Sequence, residues 1–420
     1  MLRLLPTARP RSIRGAASSL AMVLALSGGA VIGTAVTSAP ALAQDYSKDF
    51  VKAYQPVFEI VNAETGDFAA AKPQMDAVYA AIQNEDDRNA AGNLALILGN
   101  KLKDPALQRR GLEMMLQSGK VPAEQVGQFN FFVGNLAYSA KDWTAARTAL
   151  QAAVAAGYTQ DDPEGLIAET YFSEGQAAQG LDYLKGVADQ RLAAGQTVPE
   201  NWLLRGLRIA YESKLPEQAT EMSALLVKTS PTERNWLQSL QVVNAMNSLE
   251  PQVQLDLLRL MMATNSLTER SEFANYIEAA DVRVMSNEVL RVLDRGLQSG
   301  VFTADDTYYA EVKSLADERA PGDREEAPSL AAEANSAANG TAAMSAGDVF
   351  LSLADYAQAE AMFQLALDKG GVDNDRALTR LGIAQAQQGK NDAAKSSFAQ
   401  VSGARTPVAR MWTAYVESKA

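Results

Sequence analysis

The sequence predicts an all-α protein built from repeated antiparallel helix pairs. Three observations support this fold class. Alanine is abundant and β-branched residues are not, a composition that favours helices. Apolar residues recur at intervals of three or four, as on one face of a helix. A pattern of small and bulky side chains also recurs after 35 residues near the C terminus.

The recurrence near the C terminus is the clearest internal repeat. Its first copy has Gly347, Phe350, Ala359, Phe363 and Ala366, and its second copy has Gly382, Gln385, Ala394, Phe398 and Val401. Small residues occur where two helices must approach closely, and a phenylalanine fills the gap one helical turn further on. We therefore predict two stacked helical hairpins in residues 341–420, followed by a last helix that caps the end of the stack.

Residues 126–265 contain four further units in register. Matching small or apolar signature residues are Gly134, Ala168, Gly206 and Leu240, which include two spacings of 34 residues. Residues 44–125 are predicted to form degenerate helical hairpins, and residues 266–320 a further helical repeat. Residues 321–340, which begin with Pro321-Gly322, are predicted to form a linker or a weak helix. Because one hairpin cannot bury its apolar face alone, neighbouring hairpins must stack.

Residues 1–43 have the features of an export signal. Four arginines without acidic residues precede the apolar run Leu20–Val36, and Ala41-Leu42-Ala43 forms a small-x-small cleavage site before Gln44. This pattern predicts a cleaved signal peptide and a periplasmic protein with no integral membrane span after cleavage. The alternatives are secretion and anchoring by an uncleaved signal, although a run of about 17 apolar residues is marginal for a bilayer.

The composition excludes several classes of chemistry. The sequence contains no cysteine and no histidine, which excludes Ser-His-Asp and Cys-His catalysis, the usual zinc sites and disulfides. The net charge of −12, without a basic stripe, argues against nucleic acid as a partner. We therefore assign no catalytic residue, no cofactor and no metal site, and we predict that the protein is not an enzyme.

Paired carboxylates are the remaining catalytic option. They occur at predicted turns or linkers, where they are interpreted as helix caps and solvated charge: Asp86-Asp87, Asp161-Asp162, Asp305-Asp306 and Glu325-Glu326. Asp373-Asn374-Asp375 is interpreted as a turn between repeats. Glu212-Ser213 and Glu417-Ser418 are similar to the catalytic pair of soluble lytic transglycosylases, but no segment has the composition of their lysozyme-like domain.

The units at 127–265 and 341–402 resemble tetratricopeptide repeats (TPRs), whose period is about 34 residues. The resemblance has departures, because the proline expected near the end of a unit is missing around Gly371 and tryptophan fills the first signature place only at Trp202 and Trp236. It implies a TPR-like α-solenoid, in which antiparallel helix pairs form a right-handed superhelix. It also implies that proteins or peptides bind in a concave groove.

The first helix of each TPR unit lines this groove, so the resemblance implies eleven groove residues. These are Phe131, Asn135, Tyr138, Glu169, Phe172, Leu203, Leu207, Tyr211, Leu237, Gln241 and Asn244. Asparagine and glutamine can hydrogen-bond an extended peptide backbone, and aromatic residues can form pockets for its side chains. The alternative is that most of these side chains simply pack between helices. The lysine-rich clamp with which some TPR domains bind C-terminal carboxylates is not present.

The export signal and the repeats together predict a periplasmic scaffold that binds other proteins or peptides, in envelope assembly or secretion. A second hypothesis is an enzyme that processes murein or another envelope polysaccharide, with the superhelix as a substrate guide. A third hypothesis is that the repeats mediate self-association.

Overall fold

The computed structural model describes residues 45–419, and the export signal predicted at residues 1–43 lies outside this range. The described residues form twenty α-helices and no strand, which confirms the all-α fold class. They divide into two compact units, which we call the N-terminal unit (residues 45–184) and the C-terminal unit (residues 185–419).

None of the helices in residues 45–419 combines the length and the hydropathy of a membrane-spanning segment.

The N-terminal unit consists of successive helices that pack mainly against their neighbours in the chain. They are α1 (Lys48–Asn62), α2 (Phe68–Ala80), α3 (Glu85–Leu102), α4 (Pro105–Gln117), α5 (Ala123–Ser139), α6 (Trp143–Ala155) and α7 (Pro163–Glu174). The next helix, α8 (Ala177–Ala193), contains the division between the units.

The C-terminal unit continues this series of helices. They are α9 (Glu200–Glu212), α10 (Pro216–Thr229), α11 (Glu233–Met246), α12 (Pro251–Ala263), α13 (Arg270–Ala280), α14 (Ser286–Gln298), α15 (Thr307–Ser336), α16 (Thr341–Ser352), α17 (Tyr356–Lys369), α18 (Asn374–Gln387), α19 (Asn391–Ala399) and α20 (Thr406–Glu417). A short 3-10 helix (Gly403–Arg405) precedes α20.

Aspartates cap the N termini of several helices, including two from the paired carboxylates. The Asp162 side chain accepts a hydrogen bond from the Gly165 amide at the start of α7. The Asp306 side chain accepts one from the Tyr309 amide at the start of α15. Asp373 caps α18, and because this helix begins at Asn374, only Asp373 of the predicted Asp373-Asn374-Asp375 turn lies outside it. Asp87 differs from these caps because it is fully buried, and its carboxylate accepts hydrogen bonds from the backbone amide and hydroxyl of Ser47.

The small residues of the repeat pattern are sites of close helix packing. A Cβ atom added to Gly347 would lie 2.5 Å from the Phe363 ring, and one added to Gly382 would lie 2.5 Å from the Phe398 ring. The absence of a side chain therefore lets the aromatic ring of one helix lie against the backbone of the other. This contact, found in both C-terminal hairpins, confirms the TPR-like packing that the sequence predicts.

Helix α15 is continuous over 30 residues and includes Pro321 and Pro328. The sequence had suggested a linker or a weak helix over part of this segment. Contacts with other helices hold it in place: Arg324 donates from Nε to Oδ1 of Asn287 at 3.0 Å. At the C-terminal end of α15, the Lys369 ammonium group donates to three backbone carbonyls, those of Ala334, Asn335 and Ala337. A cation at this position satisfies carbonyls that have no partner within the helix.

The last helix of the chain returns to the beginning of the C-terminal unit. Helix α20 packs against α19, as a terminal helix would, and also against α10 and α12. The Trp412 side chain is fully buried, and its Nε1 donates to the backbone carbonyl of Asp256 at 2.8 Å. Lys228 of α10 pairs with Glu417 at 3.0 Å. One apolar core consequently includes side chains from Val227 to Val416.

The packing of Gly382 against Phe398 can be tested with alanine substitutions. We expect Gly382→Ala to lower the free energy of unfolding by about 1–3 kcal/mol, because the buried ring cannot move away from the new methyl group. Gly322→Ala is a matched control, because a Cβ at this position in α15 has no atom within 4 Å. It should raise stability by up to about 1 kcal/mol through helix propensity. Chemical denaturation followed by circular dichroism measures both, and equal effects would contradict the packing.

Candidate functional site

In the N-terminal unit, two predicted groove residues of α5 are buried. The Phe131 ring packs on the Tyr158 ring with centroids 5.3 Å apart. Asn135 is 7% exposed, and its Oδ1 has no hydrogen-bond partner among the described residues. The Oδ1 atom of Asn93 in α3 is also unpartnered. Both asparagines follow a glycine that packs closely against the next helix, so they occupy equivalent positions in their hairpins.

The other predicted groove residues of this unit are half-buried. The Tyr138 hydroxyl lies 3.1 Å from the Ser173 hydroxyl in α7, and its ring makes an edge contact with Trp143. The Phe172 ring fills the space above Gly180, where an added Cβ would lie 2.5 Å from it. Glu169 is half-buried as well. These side chains pack between helices and keep part of their surface open to solvent.

In the C-terminal unit, Leu203 and Leu207 of α9 lie in the core with no exposed surface. Tyr211, in the last turn of the same helix, is 38% exposed. It is one of four exposed large hydrophobic side chains in the described part of the chain. Its exposure separates it from the two leucines, although all three share one helical face.

Helix α11 presents a half-buried stripe to solvent. Leu237, Gln241 and Asn244 follow one another at intervals of four and three residues and are all partly exposed. The α9 and α11 helices are joined near their N termini, where Asn235 donates from Nδ2 to Oε1 of Glu200 at 3.0 Å. We refer to the partly or fully exposed groove candidates of these two helices, Tyr211, Leu237, Gln241 and Asn244, as the α9–α11 face.

The interior of the C-terminal unit contains a cluster of buried ion pairs centred on Asp256. The Asp256 carboxylate has no exposed surface and accepts hydrogen bonds from Arg259 at 2.7 Å, Arg380 at 3.3 Å and Arg405 at 2.6 Å. Burial alone would raise the pKa of Asp256, but the charges of Arg380, Arg259 and Arg405 outweigh burial and lower it to about 2. One carboxylate thus joins α12, α18 and the start of α20.

A second carboxylate extends the cluster to α14. Arg259 binds both oxygens of Glu288, each at 2.8 Å, and the Tyr276 hydroxyl donates to the same carboxylate at 2.8 Å. Burial would raise the pKa of Glu288, but the charge and hydrogen bonds of Arg259 hold it below its usual range. Two-point binding of this kind fixes both position and orientation of the two groups.

Asp348 connects α16 to the same cluster. Its carboxylate accepts hydrogen bonds from Arg380 and, at 2.7 Å, from Arg376. Asp348 follows Gly347, as Asn135 follows Gly134, so it occupies the position that a groove residue takes in the earlier units. In the C-terminal hairpins this helix face is therefore turned toward other helices of the same unit.

A cavity of about 230 Å³ lies beside the cluster. Its polar lining comprises Arg259, Tyr276, Glu288, Arg291, Tyr356, Gln387 and Tyr415. Its apolar lining comprises Met262, Ala263, Val292, Leu351 and Ile383. The repeat pattern of the sequence predicts neither the cavity nor the cluster. A signal was present, because Asp256 and Arg259 interrupt an otherwise apolar run from Leu255 to Met262.

The comparisons with known proteins identify no family for this chain. No protein-family model matches the sequence, and no curated protein is significantly similar to it. A solved structure of the C-terminal part of a TPR repeat-containing protein from Cytophaga hutchinsonii is 15% identical, with 79% of this chain and 99% of that chain covered, at a TM-score of 0.29. A circular tandem repeat protein with novel repeat topology is 13% identical, with 87% and 95% covered, at a TM-score of 0.15. Because these TM-scores are low, the TPR-like character of the chain rests on its own helix contacts.

The energetic role of the cluster can be tested by Asp256→Asn. This substitution leaves three buried guanidinium groups without their shared negative charge, and we expect it to cost about 3–5 kcal/mol of unfolding free energy. Asp392→Asn is the control, because the Asp392 side chain is 97% exposed and its one ion pair among residues 45–419 is with Lys395. Guanidinium denaturation should show a large shift for the first variant and none for the second. Similar midpoints for the two variants would contradict the assigned role.

The low pKa of Asp256 also predicts a pH dependence of stability. The pKa of this carboxyl group is about 2 in the folded protein and near its ordinary value of 3.8 in the unfolded chain. Its contribution is therefore fully present above pH 3.8 and is lost as the pH falls toward 2. Unfolding free energies measured across this range should fall more steeply for the wild type than for Asp256→Asn. Parallel curves would show that the carboxylate does not gain from its arginines.

Proposed function

We propose that the protein is an exported, periplasmic scaffold that binds other proteins or extended peptides through the α9–α11 face. The exposure of Tyr211 carries the proposal. An aromatic side chain that remains open to solvent on a TPR-like helix, within a row whose other members are buried, is the kind of residue that anchors a protein interface.

The chemistry of the face suits a protein ligand. Leu237 and the Tyr211 ring offer apolar contact, and the side-chain amides of Gln241 and Asn244 can donate to and accept from a peptide backbone. Asn244 already uses its Oδ1 to accept from Gln254 at 3.0 Å, which orients its amide group. The half-buried Tyr138, Glu169 and Phe172 offer a second candidate surface in the N-terminal unit.

The predicted signal peptide supports the periplasmic location, and a chain without cysteine needs no disulfide to persist in an oxidising compartment. In this proposal the protein acts by binding and is not an enzyme. Polymer processing has no specific observation in its favour, because neither Glu212-Ser213 nor Glu417-Ser418 lines the cavity and Glu417 is paired with Lys228.

Site-specific photocrosslinking tests the proposed face. A photoreactive amino acid would be placed at Tyr211 or Gln241 in living cells, and at Val284 as an exposed apolar control outside the face, 46% accessible to solvent. We expect the first two positions to capture the same protein and Val284 to capture none of it. Mass spectrometry identifies the partner, and capture of a second copy of this chain would instead indicate self-association.

The captured partner can then be purified for a binding measurement. We expect Tyr211→Ala to weaken binding at least tenfold, because truncation of an aromatic anchor costs about 2 kcal/mol or more. Val284→Ala should leave the affinity unchanged. Equal affinities for Tyr211→Ala and wild type, or identical crosslinking at all three positions, would contradict the proposal.

A further inference from the structure

We propose that the cavity beside the Asp256 cluster binds a small carboxylate that carries an apolar group about the size of one amino-acid side chain. The cavity lies where α12, α13 and α14 meet the C-terminal hairpins. None of the residues of the α9–α11 face lines it, so this site is separate from the proposed protein-binding surface.

The charge balance of the region favours an anion. Three carboxylates, those of Asp256, Glu288 and Asp348, face five guanidinium groups. These belong to Arg259, Arg291, Arg376, Arg380 and Arg405. The buried members of this set balance in charge, and the excess of two positive charges comes from Arg376, whose side chain is 30% exposed, and from Arg291 at the exposed edge of the cavity. A carboxylate bound beside Arg291 would offset part of this excess.

Arg291 is the group that would bind the anion. It is exposed at the edge of the cavity, and its Nη1 donates to the backbone carbonyls of Ser352 at 2.7 Å and Asn287 at 3.2 Å. Its Nε and Nη2 have no hydrogen-bond partner within residues 45–419, and no carboxylate there forms an ion pair with it. Glu288, the carboxylate that lines the cavity, is already bound at both oxygens by Arg259. A guanidinium fixed on one side and open on the other is suited to carboxylate recognition.

Two neutral side chains of the lining can add hydrogen bonds to those of Arg291. The Tyr356 hydroxyl and the Gln387 side-chain amide both line the cavity, and neither makes a side-chain hydrogen bond to the described residues. A hydroxyl and an amide can donate to a carboxylate oxygen or to the polar group next to it. Lys419 lies 3.9 Å from the centre of the Tyr415 ring, which also lines the cavity, and adds to the positive potential.

The remaining residues of the lining are apolar. Met262, Val292, Leu351 and Ile383 supply methyl and methylene groups. The cavity of about 230 Å³ leaves room for a ligand of the order of one amino-acid residue. The ligand can be a free acid or the C-terminal residue of a peptide, since both present the same carboxylate and apolar group.

Isothermal titration calorimetry with the purified protein tests this site. The probes are N-acetyl-L-leucine, a tetrapeptide that ends in leucine, and N-acetyl-L-leucinamide, which lacks the charge. We expect saturable binding of at least one carboxylate and none of the amide. Binding of the free acid indicates a small-molecule ligand, and binding of the peptide alone indicates a chain end.

Two variants examine the two ends of the cavity. Arg291→Gln should weaken carboxylate binding at least tenfold, and Ala263→Leu should abolish it by filling the apolar part. Arg295→Gln is the matched control, because Arg295 lies one turn further along α14 and bonds to Asn265 outside the cavity. Circular dichroism checks that each variant is folded, and Ala263→Leu decides the matter if Arg291→Gln is not.

Several results would overturn the proposal: no saturable binding of either carboxylate at millimolar concentration, equal affinity for acid and amide, or unchanged affinity in the folded cavity variants. Tyr211→Ala should bind the carboxylates as the wild type does. A failure here would therefore leave the protein-binding role of the α9–α11 face untouched, and a failure of that role would leave the cavity untouched.

Discussion

The C-terminal unit depends on the interaction of one buried carboxylate with three arginines. Asp256 is fully buried, and its partners Arg259, Arg380 and Arg405 come from the same helix, from α18 and from the start of α20. Removing these charges from water is costly, so the cluster contributes less to net stability than its short distances suggest. Its main effect is to favour one arrangement of the helices. If the last hairpins were packed elsewhere, the buried charges of the cluster would have no partners.

This constraint explains why equivalent positions of the repeats have different roles. The residue after the helix-packing glycine is an unpartnered asparagine at Asn93 and Asn135, but it is Asp348 in α16, where arginines of α18 bind it. In α18 the same position is Ile383, which lines the internal cavity. The C-terminal hairpins therefore use their inner faces for contacts within the unit. On α9 and α11, in contrast, Tyr211 is exposed and Gln241 is half-buried.

The sequence predicted the local structure well because that structure is local in origin. The contact of Gly382 with Phe398 joins residues of one hairpin, so it can be predicted from the spacing of small and bulky residues within one repeat. The aspartate caps at Asp162 and Asp306 involve residues only three positions away. The exposure of the predicted groove residues could not be derived from the repeat pattern, because it depends on how neighbouring helices pack against them. Leu203 and Tyr211 share a helical face, yet one is buried and the other is exposed.

The contacts between distant segments could not be predicted in the same way. Arg405 appears in the sequence as an ordinary surface charge, and only the return of α20 to α12 places it against Asp256. The sequence does not predict that α15 is continuous, because it contains Pro321 and Pro328 and proline is unfavourable inside a helix. It is continuous because side chains from elsewhere, among them Asn287 and Lys369, bind its backbone and side chains.

Zero-length crosslinking of the unmodified protein tests the return of α20 most directly. Lys228 of α10 and Glu417 of α20 lie 3.0 Å apart and are both accessible, with side-chain exposures of 38% and 32%. A carbodiimide should join them through an amide bond, and mass spectrometry after digestion should detect the linked peptides. Crosslinks confined to pairs close in sequence, such as Lys185 with Asp189, and none to Glu417 would contradict the closed C-terminal unit.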